Sequence, residues 1–235
     1  MLCKIADLLV EVPEEDGMGP RCGEYLYKEP AEAEVILHSE YYNADNWPGL
    51  TREEMVYMES GIQFYVNLLH HDGMMLHASG VEMDGAAFLF SGQCGAGKST
   101  HTELWQKTFG EKAQVFNDDK PALRYMDGRW YAYGTPWSGK NGINQNKKIP
   151  LAGICFLKQA KENSIRRLST KEALSQVFFQ TLFRFRNPEN LEKMFTQVEK
   201  LVTKIPIFEL ENRPEPEAAH LSHETMLRAA KEEVL

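Results

Sequence analysis

Residues 92–99 read Gly92-Gln93-Cys94-Gly95-Ala96-Gly97-Lys98-Ser99, and no other stretch narrows the fold as much. They fit the pattern G-x-x-x-x-G-K-[ST], which requires a strand before it and a helix after it, so that backbone amides and a helix N-terminus face one point. Both flanks comply. Ala86-Ala87-Phe88-Leu89-Phe90 is a short apolar strand, and residues 100–107 carry helical spacing with Gly110 as the stop. With glycine at about 7% of residues, the four fixed positions arise by chance in roughly 1% of chains this long. Such a loop cradles a polyphosphate. Residues 92–99, with Thr100, are the expected nucleotide site; Lys98 reaches the β/γ-phosphates and the Ser99 hydroxyl holds Mg²⁺.

Two Asp-Gly pairs place other chemistry beside this loop. Asp84-Gly85 is the favoured two-residue hairpin turn. Pairing Met83 with Ala86 and counting outward sets His77 opposite Gly92, on a strand expected over residues 74–83. Asp127-Gly128 repeats the device. Pairing Met126 with Arg129 brings Asp118-Asp119 near Pro136 and Trp137, at the same end of the sheet as Gly134-Thr135-Pro136-Trp137-Ser138-Gly139-Lys140. Adjacent carboxylates after an apolar strand suit an Mg-nucleotide site, one holding the metal and the other accepting a hydroxyl proton. The residues alone leave each feature a plainer reading: a satisfied strand histidine for His77, a solvated acidic turn for Asp118 and Asp119.

The rest of the chain supplies scaffolding. Residues 8–12 and 34–37 are expected strands, and Thr51-x-x-Glu54 caps a helix running to Gly73. Residues 149–157 and 164–168 are expected strands. Ser169-x-x-Glu172 caps a helix that carries Leu174, Val177, Phe178 and Leu182. Asn187-Pro188 caps the next, through Val202. Residues 205–210 form a strand and residues 216–234 a terminal helix. Arg184 and Arg186 either reach a phosphate or complement a helix C-terminus. At 235 residues the chain is read as an N-terminal part, residues 1–70, packed on a catalytic domain, residues 71–235.

Composition sets exclusions. Hydrophobic residues at 43% and charged residues at 26% are globular usage. A net charge of −8 argues against nucleic acid as partner. No apolar run reaches the ~18 residues of a membrane helix, and the start lacks a signal-peptide layout, so no membrane partner and a cytoplasmic location are expected. Cys3, Cys22, Cys94 and Cys155 show neither zinc nor disulfide spacing. Cys94, in the loop, is an expected alkylation target.

With loop, histidine strand and acid pair in place, the chain resembles the HPr kinase and phosphoenolpyruvate carboxykinase superfamily. Met75-Leu76-His77-Ala78-Ser79-Gly80-Val81 is similar to a stretch before the carboxykinase loop whose histidine binds metal. Phe116-Asn117-Asp118-Asp119-Lys120-Pro121-Ala122-Leu123-Arg124 and the segment from Tyr133 to Lys140 are similar to compact bacterial HPr-kinase-like proteins, a likeness running over residues 74–160. The chain departs from the carboxykinases in being far shorter, and from the HPr kinases in Thr100, where they carry an acidic residue, and in lacking a recognisable phosphorolysis motif. The resemblance implies an α/β fold of the P-loop kinase type, a mixed sheet with flanking helices and a small N-terminal extension. It implies an ATP-dependent phosphotransferase acting on a hydroxyl of a peptide, protein or small molecule, with ATP and Mg²⁺, or Mn²⁺ in its place. Lys98, Asp118, Asp119 and His77 are then catalytic. Ser99, Asp118, Asp119 and His77 are metal ligands; apart from the resemblance, Lys120, Lys140 and Arg184 are expected candidates for further substrate or phosphate contacts. Some relatives phosphorylate a peptide hydroxyl. An ATP-binding accessory protein with slow hydrolysis is the alternative, and a homo-oligomer stays open.

Overall fold

The structure, a computed structural model, describes residues 1–14, 17–181 and 187–232. A small sheet opens the chain. β1 (Leu2–Ile5) and β2 (Leu8–Glu11) pair antiparallel around Ala6 and Asp7, both at positive φ, and β3 (Val35–Ile36) joins β2 in parallel. Sequence patterning does not predict β1: it is four residues long and its turn is not a glycine pair. A short helix, α1 (Met18–Arg21), leads to α2 (Arg52–Leu68), whose start is the Thr51/Glu54 capping box. α2 ends at Leu68 and not at Gly73, because a 3₁₀ turn over Leu69–His71 and a left-handed Asp72 redirect the chain.

The main sheet is mixed. Its strands are β4 (Gly73–Met75), β5 (Ala78–Met83), β6 (Ala86–Ser91), β7 (Gln114–Asn117), β8 (Ala122–Met126), β9 (Arg129–Tyr133), β10 (Lys148–Gln159), β11 (Ser164–Arg167) and β12 (Ile207–Asn212). Its helices are α3 (Lys98–Phe109), α4 (Thr170–Phe179), α5 (Pro188–Lys204) and α6 (Pro216–Glu232). The strands run β4-β8-β9-β10-β6-β5-β7, with β12 also on β10 and β11 on β12. Both Asp-Gly turns have both residues at positive φ, and the pairings Met83 with Ala86 and Met126 with Arg129 hold.

The single strand expected over residues 74–83 is broken in two. The amides of Leu76, His77 and Ala78 go to the carbonyls of Pro121, Gln180 and Asp119. The chain therefore leaves β8, which pairs β4, and joins β6 and β7 as β5. β7 likewise pairs β5 and is not an arm of the second hairpin.

Both faces of the central strands are covered, so β6 and β10 are apolar runs without alternation. Successive residues still point to opposite sides. Leu89, Ile154 and Phe156 join the core under α4 and α5, while Phe88, Phe90, Cys155 and Leu157 join the one under α3 and α6. A third core holds the N-terminal sheet, α2 and Trp137. Leu182, Arg184, Arg186 and Val234 lie outside the described residues. Among the described residues no helix is long and apolar enough to cross a membrane.

Candidate active site

The glycine loop occupies the step from β6 to α3. Gly92, at φ 142, lies where a Cβ would meet Ala96 Cβ at 3.0 Å and the Leu157 carbonyl at 3.1 Å. Gly97 is the N-cap of α3 at φ 96, with no side-chain cap and no acidic residue in the first turn. The first intrahelical donor is His101, whose N–H reaches the Gly97 carbonyl at 2.8 Å, so the amides of Lys98, Ser99 and Thr100 have no helical partner. Lys98 folds back, its Nζ donating to the carbonyls of Gly92 (3.0 Å) and Gln93 (3.3 Å). Burial lowers the pKa of its ammonium, and the Asp119 carboxylate offsets part of that. Gln93, Cys94, Gly95, Ser99 and Thr100 are exposed, and Ala96 is half-buried. A cavity of about 450 Å³ runs along residues 92–96, the end of β10, Gln176 and Glu209.

His77 reaches the loop through the first hairpin. The Ser91 hydroxyl, one residue before Gly92, donates to the His77 carbonyl at 2.8 Å. The imidazole is held between Gln180 Oε1, 3.2 Å from Nδ1, and Asp119 Oδ1, 3.2 Å from Nε2.

Asn117 decides how the two aspartates separate. It is fully buried at the end of β7, and its Oδ1 accepts from the amides of Asp119 (3.2 Å) and Lys120 (2.9 Å), a local turn of the kind asparagine makes. Its Nδ2 donates to the Thr135 carbonyl at 3.0 Å. Asp118 turns to one side, where its Oδ1 accepts the Gly139 amide at 2.5 Å. Asp119 turns to the other. Its Oδ1 faces His77, and its Oδ2 accepts from the Tyr57 hydroxyl at 2.7 Å and from Lys120 Nζ. The Lys120 ammonium also donates to the Tyr57 oxygen at 2.6 Å.

These surroundings push the two carboxyls apart. Burial raises Asp118 above the ordinary 3.8; the Gly139 amide lowers it in part, and the Asp119 charge adds to the rise. Burial acts on Asp119 in the same direction, but the His77 hydrogen bond, Lys120 and Tyr57 outweigh it and hold its carboxyl well below the usual range. Among the described residues Asp118 has no cationic partner, and no group of three His, Cys, Asp or Glu gathers as a ready-made metal cage.

The strap from Thr135 to Lys140 is fixed by Trp137. Its indole stacks on Phe64 at 4.7 Å, donates to Ser60 Oγ at 3.0 Å and lies over Gly61, where a Cβ would come within 2.9 Å of Cδ1. Burying such a ring is worth roughly 4–6 kcal/mol, which holds Gly139 against Asp118. Beside the strap a second cavity of about 290 Å³ is lined by Gly17, Arg21, Glu53, Glu54, Tyr57, Asp119 and Ser138 to Lys140. It shares no lining residue with the cavity at the loop. Lys140 thus stands at this second cavity and not at the loop, and Lys120 is committed to Asp119.

Tyr57, Asn117 and Gln180 belong to this network without having been singled out in the sequence. An asparagine directly before an acid pair is a turn signal that marks Asn117. Tyr57 and Gln180 carry no local signal, since each arrives from a distant helix.

A family model described as SynChlorMet cassette protein ScmC matches residues 50–213. No curated protein matches the chain. Among solved structures, the Hpr(Ser) kinase/phosphatase from Coxiella burnetii is similar over 66% of this chain and 97% of its own, at 10% identity and a TM-score of 0.39.

Proposed function

This chain belongs to the ScmC family, and on that premise we propose that it is an ATP-dependent phosphotransferase acting on a hydroxyl group. The observation that carries the reading is the meeting of two parts. A helix start with unpaired amides and Lys98 follows a loop that opens beside Ser91, whose hydroxyl holds the His77 carbonyl, and the His77 imidazole meets the Asp119 carboxylate. Unpaired amides and a lysine suit phosphate oxygens. The likeness of residues 74–160 to HPr-kinase-like proteins points the same way.

In this reading Lys98 leaves the Gly92 and Gln93 carbonyls for the β/γ-phosphates of ATP. Asp119, ionised at all working pH values, would hold Mg²⁺ with Ser99, and His77 orients its carboxylate. The residues fit such an ion, because Mg²⁺ is ordinarily bound by one or two carboxylates and substrate phosphates and not by an all-protein cage. Bound there, the ion would supply charge neutralisation for the transferred group. Asp118, the acid of raised pKa, is the better matched base. The acceptor oxygen forms the new bond to the γ-phosphorus as the bond to the β–γ bridging oxygen breaks. ADP leaves with that electron pair, and the hydroxyl proton passes to Asp118.

Titration of Mg·ATP into the wild-type chain and into Lys98→Ala tests the first half: the wild type binds and the variant does not. Equal binding by the two removes the loop from the account.

A further inference from the structure

Resting on the phosphotransferase reading, we propose that the cavity over Asp119 receives the acceptor, and that Arg21 with Lys140 selects one bearing a carboxylate beside its hydroxyl. The N-terminal residues then supply substrate selection in addition to packing.

Arg21 is held but not used up. α1 is pinned to α2 through the buried Met18, whose sulfur lies 3.7 Å from Ser60 Oγ. From there the Arg21 guanidinium sits 4.9 Å from the Tyr57 ring centroid, and its Nη1 donates to the Ser138 carbonyl (3.2 Å) and hydroxyl (3.1 Å). Among the described residues Nε and Nη2 have no partner and no carboxylate pairs with this cation. A fixed guanidinium with a free edge is the arrangement that takes a carboxylate through two parallel hydrogen bonds.

Three carboxylates and two cations line the cavity, so selection of an anionic group rests on the placement of Arg21 and not on the summed charge. Asp119 is matched by Lys120. Glu54 is committed to the amide and hydroxyl of Thr51 in the α2 cap. Glu54 keeps its charge there and lies within reach of the Lys140 charge, so the open edge of Arg21 is the cationic group that meets an incoming carboxylate first. At about 290 Å³ the space lies at the small end of ligand pockets, so it takes a group the size of one amino acid and not the face of a folded domain. Asp119 and Gly139 line it and the Gly139 amide holds Asp118, so a hydroxyl in this cavity lies beside Asp119, with Asp118 one hydrogen bond behind the wall.

The test uses the full chain without nucleotide and compares N-acetyl-L-serine with N-acetyl-L-serinamide by ligand-observed NMR titration. The acid binds about tenfold tighter than the amide. Arg21→Gln abolishes that preference, Arg21→Lys keeps part of it, and Lys140→Gln, at an exposed position, reduces it. N-acetyl-glycylglycyl-L-serine separates the two sources of such a group: tighter binding than N-acetyl-L-serine assigns a chain end, weaker binding the free acid. Equal binding of acid and amide, no binding of either up to about 20 mM, or a preference unchanged in both Arg21→Gln and Lys140→Gln overturns the proposal. Because no nucleotide is present, a failure of wild-type ATP binding would count against the phosphotransferase reading alone.

Discussion

His77 Nε2 lies 3.2 Å from Asp119 Oδ1, while Asp118, one residue earlier, gives its Oδ1 to the Gly139 amide and meets no cation among the described residues. The surroundings shift two neighbouring acids in opposite directions, and the difference is measurable as stability. Asp119→Asn leaves Lys120 without its counter-charge and disturbs the hydrogen bonds to His77 and Tyr57, and it costs about 1–3 kcal/mol at neutral pH. Asp118→Asn keeps an oxygen for Gly139 and removes an unpaired buried charge, so it gains about 0.5–1 kcal/mol. Urea unfolding of the two variants checks the opposite signs.

The same contrast sets the pH dependence of stability. The Asp119 carboxyl is depressed in the fold, so its contribution is whole above the ordinary 3.8 and is lost as pH falls from there toward the folded value. The gap between wild type and Asp119→Asn therefore narrows below about pH 4. Asp118 is raised in the fold, so its effect runs the other way: the wild type loses this contribution as pH rises from 3.8 through the folded value. Denaturation midpoints across pH 3 to 7 separate the two aspartates.

Transfer follows Asp118. A base must be unprotonated to take the hydroxyl proton, so the rate falls as pH drops through the raised Asp118 value. In Asp118→Asn that acid limb disappears and the residual rate is about 10² to 10⁴ lower. A wild-type pH profile with no acid limb, or an unchanged limb in the variant, would reassign the base.

Cys94 reports on the loop. It is exposed at the third position of residues 92–99, whereas Cys3, Cys22 and Cys155 are buried. N-ethylmaleimide should modify Cys94 first, and Mg·ATP should slow that reaction by about tenfold or more under saturation. Peptide mass mapping with and without nucleotide reads both results.

Local chemistry made much of this legible before any coordinates. Asp84-Gly85 and Asp127-Gly128 can adopt a turn that few other pairs allow, so counting outward from them put His77 beside Gly92 and the acid pair beside the 134–140 strap. The capping boxes at Thr51 and Ser169 marked two helix starts for the same reason, since each is complete within four residues. What stayed hidden is set by distant partners. The break at Leu76 and His77 depends on Pro121, Asp119 and Gln180, and no pattern within residues 74–83 announces it. Tyr57 and Arg21 read as ordinary residues of a helix and a turn, and gain their place only when α1 and α2 close against Ser138 and Asp119. The separate fates of Asp118 and Asp119 follow from Asn117 and Gly139, which a reading of two adjacent acids does not resolve.

The central claim is phosphoryl transfer, and incubation with γ-labelled Mg·ATP and fractionated small hydroxy compounds and peptides tests it most directly. One labelled, alkali-sensitive or phosphatase-sensitive alcohol phosphate is expected, formed by the wild type, absent with Lys98→Ala and formed about 10² to 10⁴ more slowly with Asp118→Asn. Binding of ATP with slow release of inorganic phosphate and no labelled acceptor in any fraction would contradict it, and would leave an ATP-binding accessory protein in its place.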